Sequence, residues 1–270
     1  MNNMTQEVSG LLENIITSKD NPVIKLYQKL SSSKKERIQY GLFVLEGLRI
    51  TQDAINENAH ITHLILTQNA FEKYPDLFQA DLRDTKTIVI SNELGNRISA
   101  TSTTQGVFAI CNIPQKKKPV FSGNEKYIVL YGLQDPGNVG MIIRTADAFG
   151  MDGIIISNTC DLYSPKVIRS TMGSVFRTNI FIENNTENLF SIFENNNFTT
   201  SATVIDGNVS LTDCTFTGRQ AVFIGNEGNG LPPEVSVRCD RRVTIRMNGT
   251  INSLNAGMAS GIVMWEMQKY

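Results

Sequence analysis

Short apolar runs alternate with amphipathic segments along the C-terminal half of the chain. The runs have the length and β-branched composition of buried strands, and they are YIVLY, DGIIIS, TNIFI, TSATVID, AVFIGNE and RVTIRM. Helical periodicity between them predicts helices over residues 139–149, in SPKVIRSTMGSVF, around NLFSIFENN and over about 253–269. Because strands separated by helices favour a parallel sheet covered on both faces, the pattern alone predicts an ordinary doubly wound α/β domain over residues 127–270.

The N-terminal part has a mixed order of elements. Helices are predicted over residues 22–30 and in LRITQDAINEN, with strands in FVLEG, ITHLILT, TIVI and GVFAI. This order favours a small three-layer α/β sandwich over residues 14–111. The following segment, NIPQKKKPVFSGNEK, has prolines and three consecutive lysines but no periodicity. Residues 112–126 are therefore predicted to link two domains.

The composition is that of an ordinary globular protein. Hydrophobic residues make up 41% and charged residues 19% of the 270 positions, which argues against wholesale disorder. The four cysteines are scattered without a C-x-x-C pair, so neither a zinc site nor a disulfide framework is expected. No apolar run approaches the ~18 residues of a membrane span, and the polar start does not resemble a signal peptide. We expect a cytoplasmic protein without a metal or a membrane partner.

Basic residues are concentrated near the N-terminus, although the net charge is only −1. Between Ser18 and Ile50 they are Lys19, Lys25, Lys29, Lys34, Lys35, Arg37 and Arg49. Such a cluster has two interpretations, a solvated helix face and a surface that faces a polyanion.

A glycine-containing turn leads into the first predicted helix of the C-terminal domain, in LQDPGNVGMIIRTADAFG. It has neither the GK[ST] ending of a P-loop nor G-x-G-x-x-G spacing, which disfavours an enzyme that uses a nucleoside triphosphate or a dinucleotide. Arg144 lies off the apolar stripe of this helix. It could face a ligand beyond the strand ends, or it could pair with Asp147 or Asp135.

Two further strand ends are rich in glycine and asparagine. AVFIGNEGNGLPPEV breaks a strand into a loop with three glycines in six residues, which lets a backbone approach a ligand closely or forms a plain surface turn. VTIRMNGTINSLNAGMASGIVMWE leads into the last helix, which Ser253 or Asn252 is expected to cap. The small residues in the first turns of that helix predict close contact with a ligand, a backbone or a partner chain.

Together these stretches resemble the three signature motifs of the SpoU (TrmH-like) class of SPOUT RNA 2′-O-ribose methyltransferases. DPGNVGMIIRTADAFG is similar to motif one, GNEGNGLP to motif two and RMNGTINSLNAGMASGI to motif three. SPKVIRSTMGSVFR is similar to the segment between motifs one and two, and the likeness covers residues 126–270. ITSKDNPVIKLYQKL and FVLEGLRITQDAI resemble the L30e-like RNA-binding domain that precedes many such enzymes. One departure is Arg246, where the family commonly has proline.

The resemblance implies a trefoil-knotted α/β domain that binds S-adenosylmethionine and forms a homodimer through the C-terminal domain. Arg144 matches the family's catalytic arginine, and the other matched polar positions are Asn138, Glu227, Ser253 and Asn255. The positions expected to bind the methyl donor are Val204, Gly225, Asn226, Gly228, Gly230, Ile245, Met247, Leu254 and Asn255. Those expected to contact RNA are Lys19, Lys25, Lys34, Lys35, Arg37, Arg49 and Arg144.

The implied reaction is methyl transfer to a ribose 2′-hydroxyl of RNA. A guanidinium with a pKa above ~12 is a poor base, so we expect Arg144 to bind phosphate and stabilise the developing alkoxide. A separate, basic N-terminal domain favours a large structured target, with 23S ribosomal RNA first and transfer RNA second. The alternative from another class is an RNA-binding member of the fold that has lost catalysis.

Overall fold

The computed structural model describes residues 14–78, 84–115, 119, 121–251 and 253–269. Their contacts divide the chain into two compact units. The first contains the described residues up to Pro114 together with Tyr163–Phe176, and the second contains the described residues of Gln115–Leu162 and Arg177–Tyr270. The sequence pattern gives no signal that Tyr163–Phe176 belongs with the first unit. No helix among the described residues has both the length and the apolarity to cross a membrane.

The first unit is built on a four-stranded mixed sheet in the order β1-β4-β2-β3. Its strands are β1 Leu42–Glu46, β2 Ile61–Thr67, β3 Lys86–Ile90 and β4 Val107–Asn112. Its helices are α1 Pro22–Ser32, α2 Lys34–Tyr40, α3 Leu48–Asn56, α4 Gln68–Lys73, α5 Asn92–Ile98 and α7 Pro165–Ser170, with a 3-10 helix at Pro75–Phe78. Strand β4 is antiparallel to β1 and β2, whereas β3 is parallel to β2.

Alternate residues of each strand in this unit enter cores on opposite faces of the sheet. Val44 and Phe108 pack in one cluster with Tyr27 of α1. Phe43 lies in another cluster with Ile50 of α3. Apolar side chains therefore cover both faces, and the predicted three-layer α/β sandwich is observed.

The second unit contains a seven-stranded sheet in the order β7-β6-β5-β10-β8-β11-β9, and every neighbouring pair is parallel. Its strands are β5 Lys126–Tyr131, β6 Gly153–Ser157, β7 Ile180–Ile182, β8 Thr199–Thr203, β9 Val209–Ser210, β10 Gln220–Ile224 and β11 Arg241–Thr244. Its helices are α6 Pro136–Ala148, α9 Thr186–Asn195, α10 Pro233–Arg238 and α11 Ala256–Met267, with a 3-10 helix at Leu211–Asp213. The predicted parallel α/β domain is confirmed.

The helix predicted in SPKVIRSTMGSVF is observed as two shorter helices. α7 is followed by Met172 and Gly173, which have φ angles of 50° and 87°, and then by α8 at Ser174–Arg177. Two consecutive left-handed residues cannot continue an α-helix. The apolar spacing of the segment was therefore a misleading signal for one continuous helix.

A buried carboxylate fixes the start of β5. Glu125, whose side chain is 10% exposed, accepts hydrogen bonds from the backbone N–H groups of Ser122 and Gly123 and from Arg219 Nε, the last at 2.9 Å. Burial opposes ionisation of Glu125, but these hydrogen bonds outweigh it and lower the pKa of Glu125 to about 2. The carboxylate thus attaches the segment before β5 to the residue that precedes β10.

We predict that Glu125→Gln lowers the free energy of unfolding by about 2 kcal/mol at pH 7, because the amide oxygen is a neutral and weaker acceptor for the backbone N–H groups and the amide nitrogen offers no acceptor to Arg219. Folding lowers this pKa, so the stabilisation is complete above the usual pKa of 4.5 and is lost as the pH falls toward about 2. Urea unfolding at several pH values measures the difference between the two proteins. Glu187→Gln is the control, since Glu187 is exposed and paired with Arg238. A difference that does not shrink in acid would contradict the assignment.

Candidate functional site

A pocket of about 340 Å³ lies at the carboxyl ends of three neighbouring strands of the second unit, β8, β10 and β11. Its described lining is Thr203, Val204, Ile205, Asp206, Ile224, Gly225, Asn226, Glu227, Gly228, Asn229, Gly230, Leu231, Val243, Thr244, Ile245, Met247, Ser253, Leu254, Ala256 and Ala259. Open α/β sheets bind ligands at this edge, and the volume lies within the usual range for small-molecule sites.

The lining combines aliphatic side chains with glycine backbone. Among the described residues of the lining, none is lysine or arginine, and the charged ones are Asp206 and Glu227. Such a surface suits a flat apolar ring whose polar groups form hydrogen bonds with backbone atoms. The described lining provides no cationic side chain to bind a phosphate. The composition of the pocket therefore favours a nucleoside over a nucleotide.

The loop after β10 is closed by Asn226. Its backbone forms a two-way hydrogen-bonded bridge with Gly230, and its side-chain oxygen accepts the N–H groups of Gly228 and Asn229 at 2.9 and 3.1 Å. Its amide Nδ2 donates to the carbonyl oxygen of Gly132 at 2.8 Å. One asparagine thus shapes the motif-two loop and attaches it to the end of β5.

Glu227 joins that loop to the start of α6. Its carboxylate accepts the backbone N–H groups of Gln134 and Asp135 at 3.1 and 3.0 Å, and Nδ2 of Asn138 at 3.0 Å. Burial opposes its ionisation, but the hydrogen bonds from Asn138 and the backbone prevail and lower the pKa of Glu227. Nδ2 of Asn226 also donates to this carboxylate, at 3.5 Å. A carboxylate with several donors that is held ionised is an anchor for these segments and a weak proton acceptor.

Asn255 extends this connection to the last helix. Its Nδ2 donates to Oδ1 of Asn138 at 2.9 Å, while its own Oδ1 accepts the N–H groups of Gly257 and Met258 at the start of α11. The predicted cap, Ser253 or Asn252, was wrong: Asn255 is the N-cap, Ser253 precedes it on the pocket wall, and Asn252 lies outside the described residues. We call Glu227, Asn138 and Asn255 the polar relay.

Arg144 lies on α6 with its side chain exposed, and it does not line the pocket of its own chain. The two candidate partners are occupied elsewhere: Asp147 pairs with Arg177 at 2.9 Å, and Asp135 caps α6 by accepting the N–H of Gly137 at 2.6 Å. Among the described residues, none forms a hydrogen bond or an ion pair with Arg144. Its guanidinium is therefore available to a substrate.

Of the nine positions expected to bind a methyl donor, eight line the pocket. The ninth, Asn255, is hydrogen-bonded to Asn138, which in turn donates to Glu227 of the pocket lining. The residues expected to contact RNA differ in their exposure. Lys19, Lys34, Lys35 and Arg49 are exposed, and Lys25 is exposed but paired with Asp20 at 2.8 Å. Arg37 is only 4% exposed and donates to the carbonyl oxygen of Leu30, so it connects α1 to α2 and faces inward.

The sequence interpretation missed several pocket residues, among them Asp206 and Thr244. Asp206 was assigned to the end of the strand TSATVID, whereas β8 ends at Thr203. The available signal was the position of this residue directly after a strand of the parallel sheet, where side chains converge on a ligand.

Two family models match the chain. The model of the SpoU rRNA methylase family matches residues 125–265, and that of the MRM3-like substrate-binding domain matches residues 21–109. The chain belongs to the SpoU rRNA methylase family. The SpoU match contains the pocket and the polar relay, and the other match falls on the three-layer sandwich.

Whole-length relatives support the same assignment. The chain is 24% identical to the 23S rRNA (guanosine(2553)-2′-O)-methyltransferase RlmP of Bacillus subtilis, over 94% of this chain and 98% of that protein. It is 30% identical to an uncharacterised tRNA/rRNA methyltransferase of Synechocystis, over 94% and 93%. The AdoMet-bound rRNA methyltransferase of Sinorhizobium meliloti superposes with a TM-score of 0.84 at 30% identity, over 95% and 97% of the chains.

This SpoU-family protein is an RNA methyltransferase that uses S-adenosylmethionine. The pocket fits the donor on its own chemistry. Gly225 lies so close to the loop that an added Cβ would overlap backbone atoms of Gly230 and Leu231, whereas Gly228 and Gly230 leave open backbone toward the pocket. Aliphatic residues such as Val204, Ile224 and Leu231 provide walls for an adenine ring.

We predict opposite outcomes for alanine substitutions at two glycines. Gly225→Ala should weaken S-adenosylmethionine binding by about 10-fold or more, because the Cβ forces two backbone segments apart. Gly123→Ala, the control, should bind nearly as the unmodified protein, since Gly123 lies outside the described pocket lining and the nearest atom to its Cβ is 3.8 Å away. Isothermal titration calorimetry measures both. Equal affinities for the two variants would show that the loop of Gly225 does not form the donor site.

Proposed function

We propose that this enzyme methylates a ribose 2′-hydroxyl of large-subunit ribosomal RNA. The observation that carries the proposal is the polar relay, which joins the wall of the donor pocket to the first turn of the helix that bears Arg144. A reaction between a donor and an RNA hydroxyl needs the substrate-orienting group to be held rigidly. The relay holds the helix of Arg144 against α11, and α11 carries the apolar face on which a second copy is proposed to pack. Relatives named as rRNA methyltransferases support the ribosomal target.

The residues of the site have distinct proposed roles in methyl transfer. When bound, S-adenosylmethionine supplies an electrophilic methyl group on a sulfonium. Arg144 binds the RNA backbone and stabilises negative charge on the ribose oxygen as its proton leaves. Glu227 stays ionised and holds the pocket loop against α6, and the proton passes to water. Ser253, on the pocket wall, and Asn138 and Asn255, in the relay, keep these segments in register.

The proposed active form is a homodimer, because Arg144 does not line its own chain's pocket. α11 presents Met258, Ile262 and Trp265 outward at helical spacing, and these apolar side chains are 59%, 38% and 56% exposed. Ala259, on the same helix, lines the pocket. A second copy packed on this face would cover the apolar stripe beside the donor site, where an arginine from the partner could act.

The first unit supplies further proposed contacts to RNA. The proposed phosphate contacts are the exposed side chains of Lys19, Lys34, Lys35 and Arg49. Lys25 is expected to bind phosphate less strongly, because it is paired with Asp20. Arg37 is left out of this surface because it is buried. The proposed location is the cytoplasm, where ribosomal and transfer RNA both occur.

Mapping ribose methylation across total RNA, from cells with and without this gene, tests the proposal directly. Loss of one site in 23S ribosomal RNA is the expected result. Loss of a site in transfer RNA would move the assignment to the second candidate. An unchanged methylation map, together with RNA binding by the purified protein, would favour a non-catalytic member of the fold.

We predict that Arg144→Ala lowers the rate of methyl transfer by at least about 100-fold, because a preorganised donor to the developing alkoxide is lost. Affinity for S-adenosylmethionine should change little. Arg144→Lys should not restore the rate, since a point charge does not reproduce a bidentate guanidinium. Arg97→Ala is the control, because Arg97 is an exposed arginine of the first unit. Turnover near the unmodified rate in Arg144→Ala would remove this residue from the mechanism.

We predict that Ile262→Glu converts the dimer to a monomer and abolishes methyl transfer, because a charge enters the apolar face of α11. Sedimentation velocity measures the change. Val237→Glu is the control: Val237 is 73% exposed on α10, outside the proposed interface. A protein that is monomeric and active before substitution would contradict the dimer.

A further inference from the structure

Asp206 is a charged residue of the donor pocket to which no role has been given so far. It follows β8, lines the pocket, and its side chain is 78% exposed at the pocket mouth. The other charged residue of the described lining, Glu227, already has four donors on its carboxylate. Asp206 is therefore the carboxylate with acceptor capacity to offer a ligand.

The turn that carries Asp206 is fixed against β11 by several contacts. Val204 N–H donates to the carbonyl oxygen of Val243 at 2.9 Å, and Thr244 Oγ1 donates to the carbonyl oxygen of Ile205 at 2.9 Å. A Cβ added to Gly207 would lie 2.8 Å from backbone atoms of the same strand, so the turn lies flush on it. A turn held in this way presents its side chain without a large entropic cost on binding.

Arg242 orients the carboxylate itself. Its Nη2 donates to Oδ1 of Asp206 at 2.7 Å, and this hydrogen bond, together with one from the backbone N–H of Asp206 itself, lowers the pKa of Asp206. Oδ2 forms no hydrogen bond with any other residue that the structure describes. One oxygen is thus committed to the arginine, and the second keeps its lone pairs for hydroxyl donors.

We propose that Asp206 binds the ribose 2′- and 3′-hydroxyls of S-adenosylmethionine through Oδ2. The inference rests on the donor site of the proposed function and names a binding residue within it. A carboxylate accepts hydrogen bonds from a vicinal diol readily, and a rim position suits the polar sugar while the aliphatic walls hold the base. The α-ammonium group of the donor is a poorer match, because the adjacent guanidinium of Arg242 would repel it.

Binding calorimetry with three ligands tests this assignment. They are S-adenosylmethionine, S-adenosylhomocysteine, and a 2′,3′-dideoxy analogue of S-adenosylhomocysteine. Asp206→Ala should weaken binding of the first two by a similar factor, about 10-fold or more, and should leave the affinity for the dideoxy analogue unchanged. Glu187→Gln is the matched control, since Glu187 has the same 78% exposure and an arginine partner but lies outside the pocket lining.

Three results would overturn the assignment. Equal affinities of Asp206→Ala and the unmodified protein would remove Asp206 from the site. A loss of affinity confined to S-adenosylmethionine would mean that Asp206 interacts with the positive charge of the sulfonium. An equal loss of affinity for the dideoxy analogue would mean that the substitution changes the shape of the pocket. Thermal unfolding without ligand verifies that the variant is folded. If the unmodified protein binds no S-adenosylmethionine, the proposed function fails before Asp206 is tested.

Discussion

The ionised carboxylate of Glu227 is the interaction on which the site depends. It collects two backbone N–H groups and one side-chain amide from the beginning of α6, a segment more than eighty residues earlier in the chain. A charged acceptor forms stronger hydrogen bonds than a neutral one, and leaving its donors unpaired is costly. The loop after β10 is therefore held against the start of α6, and the hydrogen bond between Asn138 and Asn255 extends the connection to α11.

The order of strands in the parallel sheet explains why these loops lie next to one another. β5, β10, β8 and β11 are consecutive neighbours, so their carboxyl ends deliver four loops to one edge. The loops after β8, β10 and β11 form the pocket, while the loop after β5 meets Asn226 and Glu227. Strand order thus brings together motifs that are far apart along the chain.

Much of this arrangement was predictable from the pattern of apolar residues. β5, β6 and β10 of the second unit are short, strongly apolar and buried, so the periodicity predicts them clearly, and the first-unit sandwich follows from the same logic. α2, α4 and α5 were missed because each has only six or seven residues, too few for helical periodicity. The cap of α11 was misplaced because Ser253 and Asn255 have similar capping preferences, and only the contact with Asn138 selects between them. The knot and the division at residues 112–126 stay predictions.

The order of the pocket segments along the chain has a consequence for biosynthesis. Every described lining residue lies at or beyond position 203, and the last of them, Ala256 and Ala259, belong to the final helix. Because a chain emerges from the ribosome starting at its N-terminus, the first unit, whose segments end at Phe176, is made before any part of this cavity. The pocket is complete only once α11 has been made, so a chain that stops before α11 contains the first unit without a whole pocket.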